Sequence, residues 1–169
     1  MRPRLIDLDF TIDAPCFKLS VASGTRQFFS VRFDDDKATV FCPPDTQFSR
    51  PEVQKLLSAA VVRAMKRRAQ QFLPPLLAEL ASMHGLTYKK VRVTGARSKW
   101  GSCTSAGTIN LSCYLMLLPP HLMDYVLLHE LAHTREMNHG QQFYALLNSM
   151  TDGMALQLRS QLRAFRTSF

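Results

Sequence analysis

Apolar and polar positions alternate in the first quarter of the chain. Phe17, Leu19 and Val21 fall on one face of residues 17–21, residues 28–33 are rich in aromatic and β-branched side chains, and residues 38–41 follow the acidic turn Asp34, Asp35, Asp36. Gly24 and the aspartates supply turn chemistry between these segments. Three short strands joined this way predict a small antiparallel β meander.

Past Pro43 and Pro44 the period changes. Ser49, Pro51 and Glu52 form a helix-start signature, and Val53, Leu56, Leu57, Ala60, Val61 and Ala64 recur on one helical face. At about 100° per residue, Arg67 and Arg68 fall on the continuation of that stripe, so either the helix runs past the core there or the two cations line a cleft. Pro74 and Pro75 are expected to break or restart the helix, which continues through residues 76–83 to a C-cap at Gly85. Residues 91–93 read as a strand. Residues 99–103 and 108–112 flank Thr104, Ser105, Ala106 and Gly107 as a β-hairpin. A helix starts near Pro120 and carries Met123, Val126, Leu127 and Leu131. A last one follows Gly140, with Phe143, Leu146, Leu147, Met150, Met154 and Leu158 on one side and Gly153 as a point of interruption. The expected fold is α+β, a single domain over residues 1–169 with a β-rich part over 1–45 and a mainly helical part over 46–169.

Composition narrows the class. Apolar residues make up 46% and charged residues 20% of the 169, which suits a globular domain and excludes a disordered chain. The densest apolar stretch, residues 114–118 before Pro119 and Pro120, falls far short of the roughly 20 residues that span a bilayer. Arg2 and Arg4 are followed by Asp7, Asp9 and Asp13 in place of the apolar centre of a secretory signal, so a cytoplasmic protein is expected. Cys16, Cys42, Cys103 and Cys113 include no closely spaced pair and are expected as reduced, mostly buried thiols. A formal charge of +8 and a pI near 9.7 favour anionic partners, among them nucleic acid, nucleotides and acidic peptides.

The chemistry concentrates at His129, Glu130, Leu131, Ala132 and His133, an H-E-x-x-H sequence within a helical pattern. Four residues advance a helix by about 400°, leaving the two imidazoles about 40° apart and one turn along, within reach of one ion. Glu130 lies beside both, placed to take a proton from a metal-bound water without ligating. A catalytic zinc needs a third protein ligand. No glutamate follows Glu136, and Asp152 is the only later side-chain carboxylate. His139 stands six residues after His133, where a continuous helix would turn it about 240° away. The helix must therefore end first, and Asn138 and Gly140, both tolerant of a left-handed turn, offer the ending. His129, His133 and His139 are the expected ligands of one zinc ion per chain, with Glu130 as the base.

The ordered string Trp100, Gly101, Ser102, Cys103, Gly107, Ile109, Asn110, Leu111, then Leu118, Pro119, Pro120, Asp124, Tyr125, Val126, the histidine box, Asn138, His139, Gly140, Phe143 and Tyr144 resembles the YgjP-like metallopeptidase domains, relatives of the zincins and of SprT-like proteases. The resemblance is strongest over residues 85–150. It implies a zincin-like α+β fold in which the hairpin lies beside the metal helix and an edge strand takes an extended peptide substrate. Trp100, Gly101, Ser102, Arg97 and Tyr144 become the expected substrate contacts, and Arg97, Tyr125 and Tyr144 the candidate oxyanion donors. Trp100 fits simple core packing equally well. Lys99, Ser112 and Tyr144 depart from the Arg, Asn and Trp common at those places in the family, which bears on substrate preference.

Two other functions suit the same residues. A phosphohydrolase acting on nucleotides would use the same metal, with Arg67, Arg68 or Arg97 gripping phosphates. A nucleic-acid-associated protein would use the basic surface, with Arg159, Arg163 and Arg166 near the C-terminus, although no helix-turn-helix, zinc-finger or RNA-binding signature accompanies them.

Overall fold

The computed structural model describes residues 5–35, 37–167 and 169; Arg2, Arg4 and Asp36, named above, lie outside the described residues. Strands β1 (Thr11–Ala14), β2 (Phe17–Ser23), β3 (Ser30–Asp34) and β4 (Lys37–Cys42) form one sheet in the order β1-β2-β4-β3. The expected antiparallel meander is corrected in its topology. The β1–β2 and β3–β4 pairs are antiparallel, whereas β2 and β4 run parallel, with Leu19 opposite Ala38 and Val21 opposite Val40. Burial supplies the reason. Every second residue of β2 and β4 (Phe17, Leu19, Val21; Ala38, Val40, Cys42) is buried, so these two strands take the centre, and β3, with Val31 and Phe33 only partly covered, is displaced to the edge. Residues 28 and 29 fall outside β3, and Phe28 is exposed.

Helix α1 (Pro51–Met83) is continuous through Pro74 and Pro75, against the expected break. Each proline removes one backbone donor, but the carbonyls released four residues earlier, at Gln70 and Gln71, belong to exposed residues that water can serve. Leu73 and Leu77 meanwhile stay fully buried on either side. Tertiary packing of that apolar stripe outweighs local propensity. The stripe continues through Met65 and Ala69, so the helix does not leave the core; Leu56, expected on the buried face, is exposed. Arg67 and Arg68 flank the stripe, with guanidinium carbons 4.2 Å and 5.4 Å from the ring centroids of Phe33 and Phe72. The helix N-cap is Arg50, with no side-chain capping bond, in place of the expected cap at Ser49. Its C-terminal end is as expected. Gly85 adopts φ +61° and Leu86 N donates to Ala81 O at 2.9 Å.

A second sheet has the order β5-β7-β6, from β5 (Lys90–Thr94), β6 (Gly101–Cys103) and β7 (Thr108–Ser112). The expected hairpin is present as β6–β7, with Ser102 opposite Asn110 and a turn at Gly107, φ +78°. A 3₁₀ turn (Cys113–Leu117) packs on α1 and leads into α2 (Pro120–Ala132). Helices α3 (Gln141–Met150) and α4 (Ala155–Ala164) follow, separated where Asp152 and Gly153 take φ of +49° and +77°. Helix α2 packs against β6, α1, α3 and α4 together, which explains why Leu127, Leu131 and Ala132 are fully buried and why the helix lacks a clean polar face.

Candidate active site

Helix α2 delivers His129 and Glu130 in its last turn, and His133 caps its C-terminal end. Beyond it, Thr134 N donates to Leu131 O, Arg135 N to Ala132 O and Glu136 N to Ala132 O, so the backbone turns tightly and does not propagate. The chain then reverses where Gly140 N donates to Asn138 O at 2.7 Å. Neither Asn138 nor Gly140 uses a left-handed conformation, contrary to expectation; Gly140 sits at φ −88° as the N-cap of α3. The reversal returns His139 to the other two histidines. His139 Nε2 lies 3.1 Å from both His133 Nε2 and His129 Nε2.

Three ring nitrogens converging this closely could hold a metal ion. His133 Nδ1 lies 2.9 Å from Glu136 O. A carbonyl can only accept, so Nδ1 carries the proton and Nε2 turns a lone pair inward. The groups facing it are again imidazole nitrogens, and a shared cation is the species that satisfies all three lone pairs. Donors about 2.0–2.1 Å from a tetrahedral ion sit roughly 3.3–3.4 Å apart, close to the observed spacing. The residues therefore fit a divalent metal, and the three ligand atoms all lie within 4.8 Å of one another. Burial, then the neighbouring His133 and His139, hold His129 down at about 4, so it is neutral and ligand-competent near pH 7. His133 is lowered in the same direction, chiefly by burial.

Beneath the imidazoles lies Phe143, fully buried, its ring centroid 4.9, 4.5 and 4.8 Å from those of His129, His133 and His139. This one side chain from α3 supports all three rings. In the sequence it stood as a core position and as one residue of the string that carries the resemblance, and neither says what its buried face touches.

Glu130 is 6% exposed, and burial pushes its carboxyl up to about 7, opposed by the Lys99 ammonium. Strand β6 crosses directly over it. A Cβ built on Gly101 would stand 2.8 Å from both Glu130 Cγ and Oε1, so this glycine is required by close approach. Gly101 serves the carboxylate by leaving it room. Ser102, expected as a substrate contact, alternates to the opposite face, where its Oγ pairs with Asn110 Nδ2 at 3.4 Å.

A cleft of about 250 Å³ opens beside His129 and Glu130, walled by Trp100, Tyr125, Val126 and Leu162, with Arg159 and Arg163 from α4. Trp100 lines the cleft and also packs edge-on against Phe165, with centroids 6.5 Å apart. Tyr144 lies behind the cleft, its hydroxyl accepting from Arg159 Nη1 at 2.9 Å and its ring 6.5 Å from His139. Arg97 is directed away. Its Nη2 donates to Phe169 O at 3.1 Å and it stacks over Tyr114 and Phe169. Arg67 and Arg68 lie against Phe33 and Phe72 and are likewise not brought to the three histidines. Arg166 bonds backbone carbonyls of Arg163 and Phe165. Arg159 and Arg163, read in the sequence as part of a basic surface, are the residues missed as cleft residues; their spacing of one helical turn was the available signal.

Fold and site together define a metal-dependent hydrolase: a mixed α+β framework with an H-E-x-x-H helix, a third histidine returned by a turn, and a buried carboxylate under an edge strand. The chain belongs to the YgjP-like metallopeptidase domain family, whose sequence pattern matches residues 17–165. Among solved structures, the metallopeptidase zymogen of Pyrococcus abyssi abylysin is similar at 23% identity and a TM-score of 0.48, covering 53% of this chain and 90% of that one. The zymogen of Methanocaldococcus jannaschii jannalysin is similar at 21% identity and a TM-score of 0.42, covering 52% and 94%. No curated protein sequence matches significantly. No helix among the described residues is long and apolar enough to cross a membrane.

Proposed function

We propose that this chain is a zinc metallopeptidase that binds one zinc ion through His129, His133 and His139 and hydrolyses peptide bonds with Glu130 as the general base. The observation that carries this reading is the meeting of three Nε2 atoms beside a buried carboxylate whose pKa is raised to about 7. Zinc is the divalent ion that best suits three neutral imidazoles with a remaining open position, and when bound it supplies Lewis acidity that polarises a carbonyl and acidifies water. Glu130, one residue from His129 and shielded by β6, is placed to accept a proton from the attacking water and to return it to the leaving amine. A carboxyl with a pKa near neutrality is suited to both transfers. Among the described residues strand β6 pairs on one side only, with β7, so its other edge supports binding of an extended peptide by strand addition. Tyr125, in the cleft wall, is a better candidate than Arg97 for steadying the developing oxyanion.

The four thiols form no disulfide, and burial holds Cys42 and Cys113 up at about 11, so these two are inert at neutral pH. One apolar core running from Ile6 through Ala155 supports a single domain.

The test is metal analysis coupled to cleavage of an internally quenched peptide library. About one zinc per chain, with turnover abolished by chelation and reduced at least 100-fold in Glu130→Gln, is expected. Turnover insensitive to both would overturn the assignment.

A further inference from the structure

We infer that the cleft beside the metal ligands selects a substrate carboxylate in the residue next to the scissile bond, gripped by Arg159 and Arg163. This deepens, and rests on, the peptidase reading. The two arginines stand one turn apart on α4, so both project from the same face, with Leu162 between them. Among the described residues neither has a carboxylate within ion-pairing distance, although three other ion pairs do form on the surface. Arg159 donates to the Tyr144 hydroxyl, a bond that fixes the guanidinium without supplying a carboxylate partner. Among the described residues Glu130 is the only acidic one lining the cleft, and it is needed for chemistry.

What remains is a pocket of about 250 Å³ with an aromatic and aliphatic body, two unneutralised guanidinium groups and an opening onto the catalytic carboxylate. That volume accommodates one side chain or one chain terminus. A guanidinium fork matches a carboxylate in a bidentate manner, and Arg159, half-buried beside the half-buried Trp100 and Leu162, is better screened from water than the exposed Arg163. An acidic side chain and a free C-terminal carboxylate offer the same chemistry, so they are separated by experiment.

Trp100 is the only tryptophan and lines this cleft, so its fluorescence reports occupancy directly. Zinc-loaded Glu130→Gln protein, in which peptide is held without turnover, is titrated with blocked hexapeptides carrying Glu, Gln or Lys at the central position. A Gln peptide truncated there to a free carboxylate forms a further arm, and adenosine triphosphate is added as a competitor. Binding of the Glu peptide roughly tenfold or more tighter than the Gln peptide is expected, weakening with salt and lost on Arg159→Gln or Arg163→Gln. Preference for the truncated peptide over the internal Glu peptide assigns the site to chain termini, and the reverse to acidic side chains. In otherwise wild-type protein, Arg159→Gln raises KM for carboxylate substrates at least tenfold more than it does for neutral peptides.

Equal affinity for Glu, Gln and Lys peptides overturns the inference. So does an equal loss of kcat on every substrate, which would make Arg159 a general oxyanion donor, and so does a Tyr144→Phe variant that reproduces the whole Arg159→Gln effect. Tighter binding of the nucleotide, displacing all peptides, reassigns the pocket to phosphate. If carboxylate preference persists in binding while no peptide is ever cleaved by wild type, the peptidase reading fails and the carboxylate site stands.

Discussion

Replacing Glu130 by Gln should make the metal-free protein more stable while removing its activity. The carboxyl is 6% exposed and its pKa is raised to about 7 from an ordinary 4.5, first by burial, with Lys99 opposing. A raised folded-state pKa means the folded chain holds the proton more tightly than the unfolded chain. The associated stability is present in full below pH 4.5 and is lost as pH rises through 7. At about 1.4 kcal/mol per pH unit, the ionised carboxylate costs the fold up to about 3 kcal/mol at pH 8. Glutamine, similar in shape and never charged, removes that pH-dependent cost and retains only a constant one for its buried amide. The titration of His129 is common to both proteins and cancels in the difference. Urea denaturation of wild type and Glu130→Gln in chelator, at pH 4.5, 6, 7 and 8, measures the effect. The difference should grow in favour of the variant by about 2–3 kcal/mol between the lowest and highest pH, equivalent to roughly 4–12 °C in Tm for a chain of this size. A difference that stays flat across the range would show that Glu130 is neither a desolvated carboxylate nor a base tuned by burial.

Other perturbations separate the parts of the site. Gly101→Ala places a methyl 2.8 Å from Glu130 Cγ and Oε1 and should lower kcat at least tenfold by displacing the carboxylate. Gly140→Ala, with open space around its Cβ and an ordinary φ, should change stability by less than about 0.5 kcal/mol; steady-state kinetics and melting curves compare the two. Phe143→Leu removes the ring under the three imidazoles and should cost about 1–2 kcal/mol in folding and weaken metal affinity, read by chelator competition, more than an equivalent change at the remote Phe17 does. Gly85→Ala, at φ +61° with no steric obstruction, should cost about 1 kcal/mol in urea denaturation without altering turnover, because the strain is confined to the end of α1.

The sequence by itself determined the local chemistry. H-E-x-x-H spacing on a helix, a third histidine beyond a forced helix end, the β6–β7 hairpin and the Gly85 cap each depend on residues close along the chain, where covalent geometry fixes what can meet. Tertiary structure decided what depends on distant partners. The central place of β2 and β4 came from competition for burial among four strands. The uninterrupted run of α1 through Pro74 and Pro75 came from packing on both sides of the prolines. Gly101 acquired its role only because β6 crosses α2 at Glu130, and Arg159 moved from basic surface to cleft only because α4 folds back beside the same helix. Charge and periodicity describe a residue's own element, but its function here was set by the surface that element was pressed against.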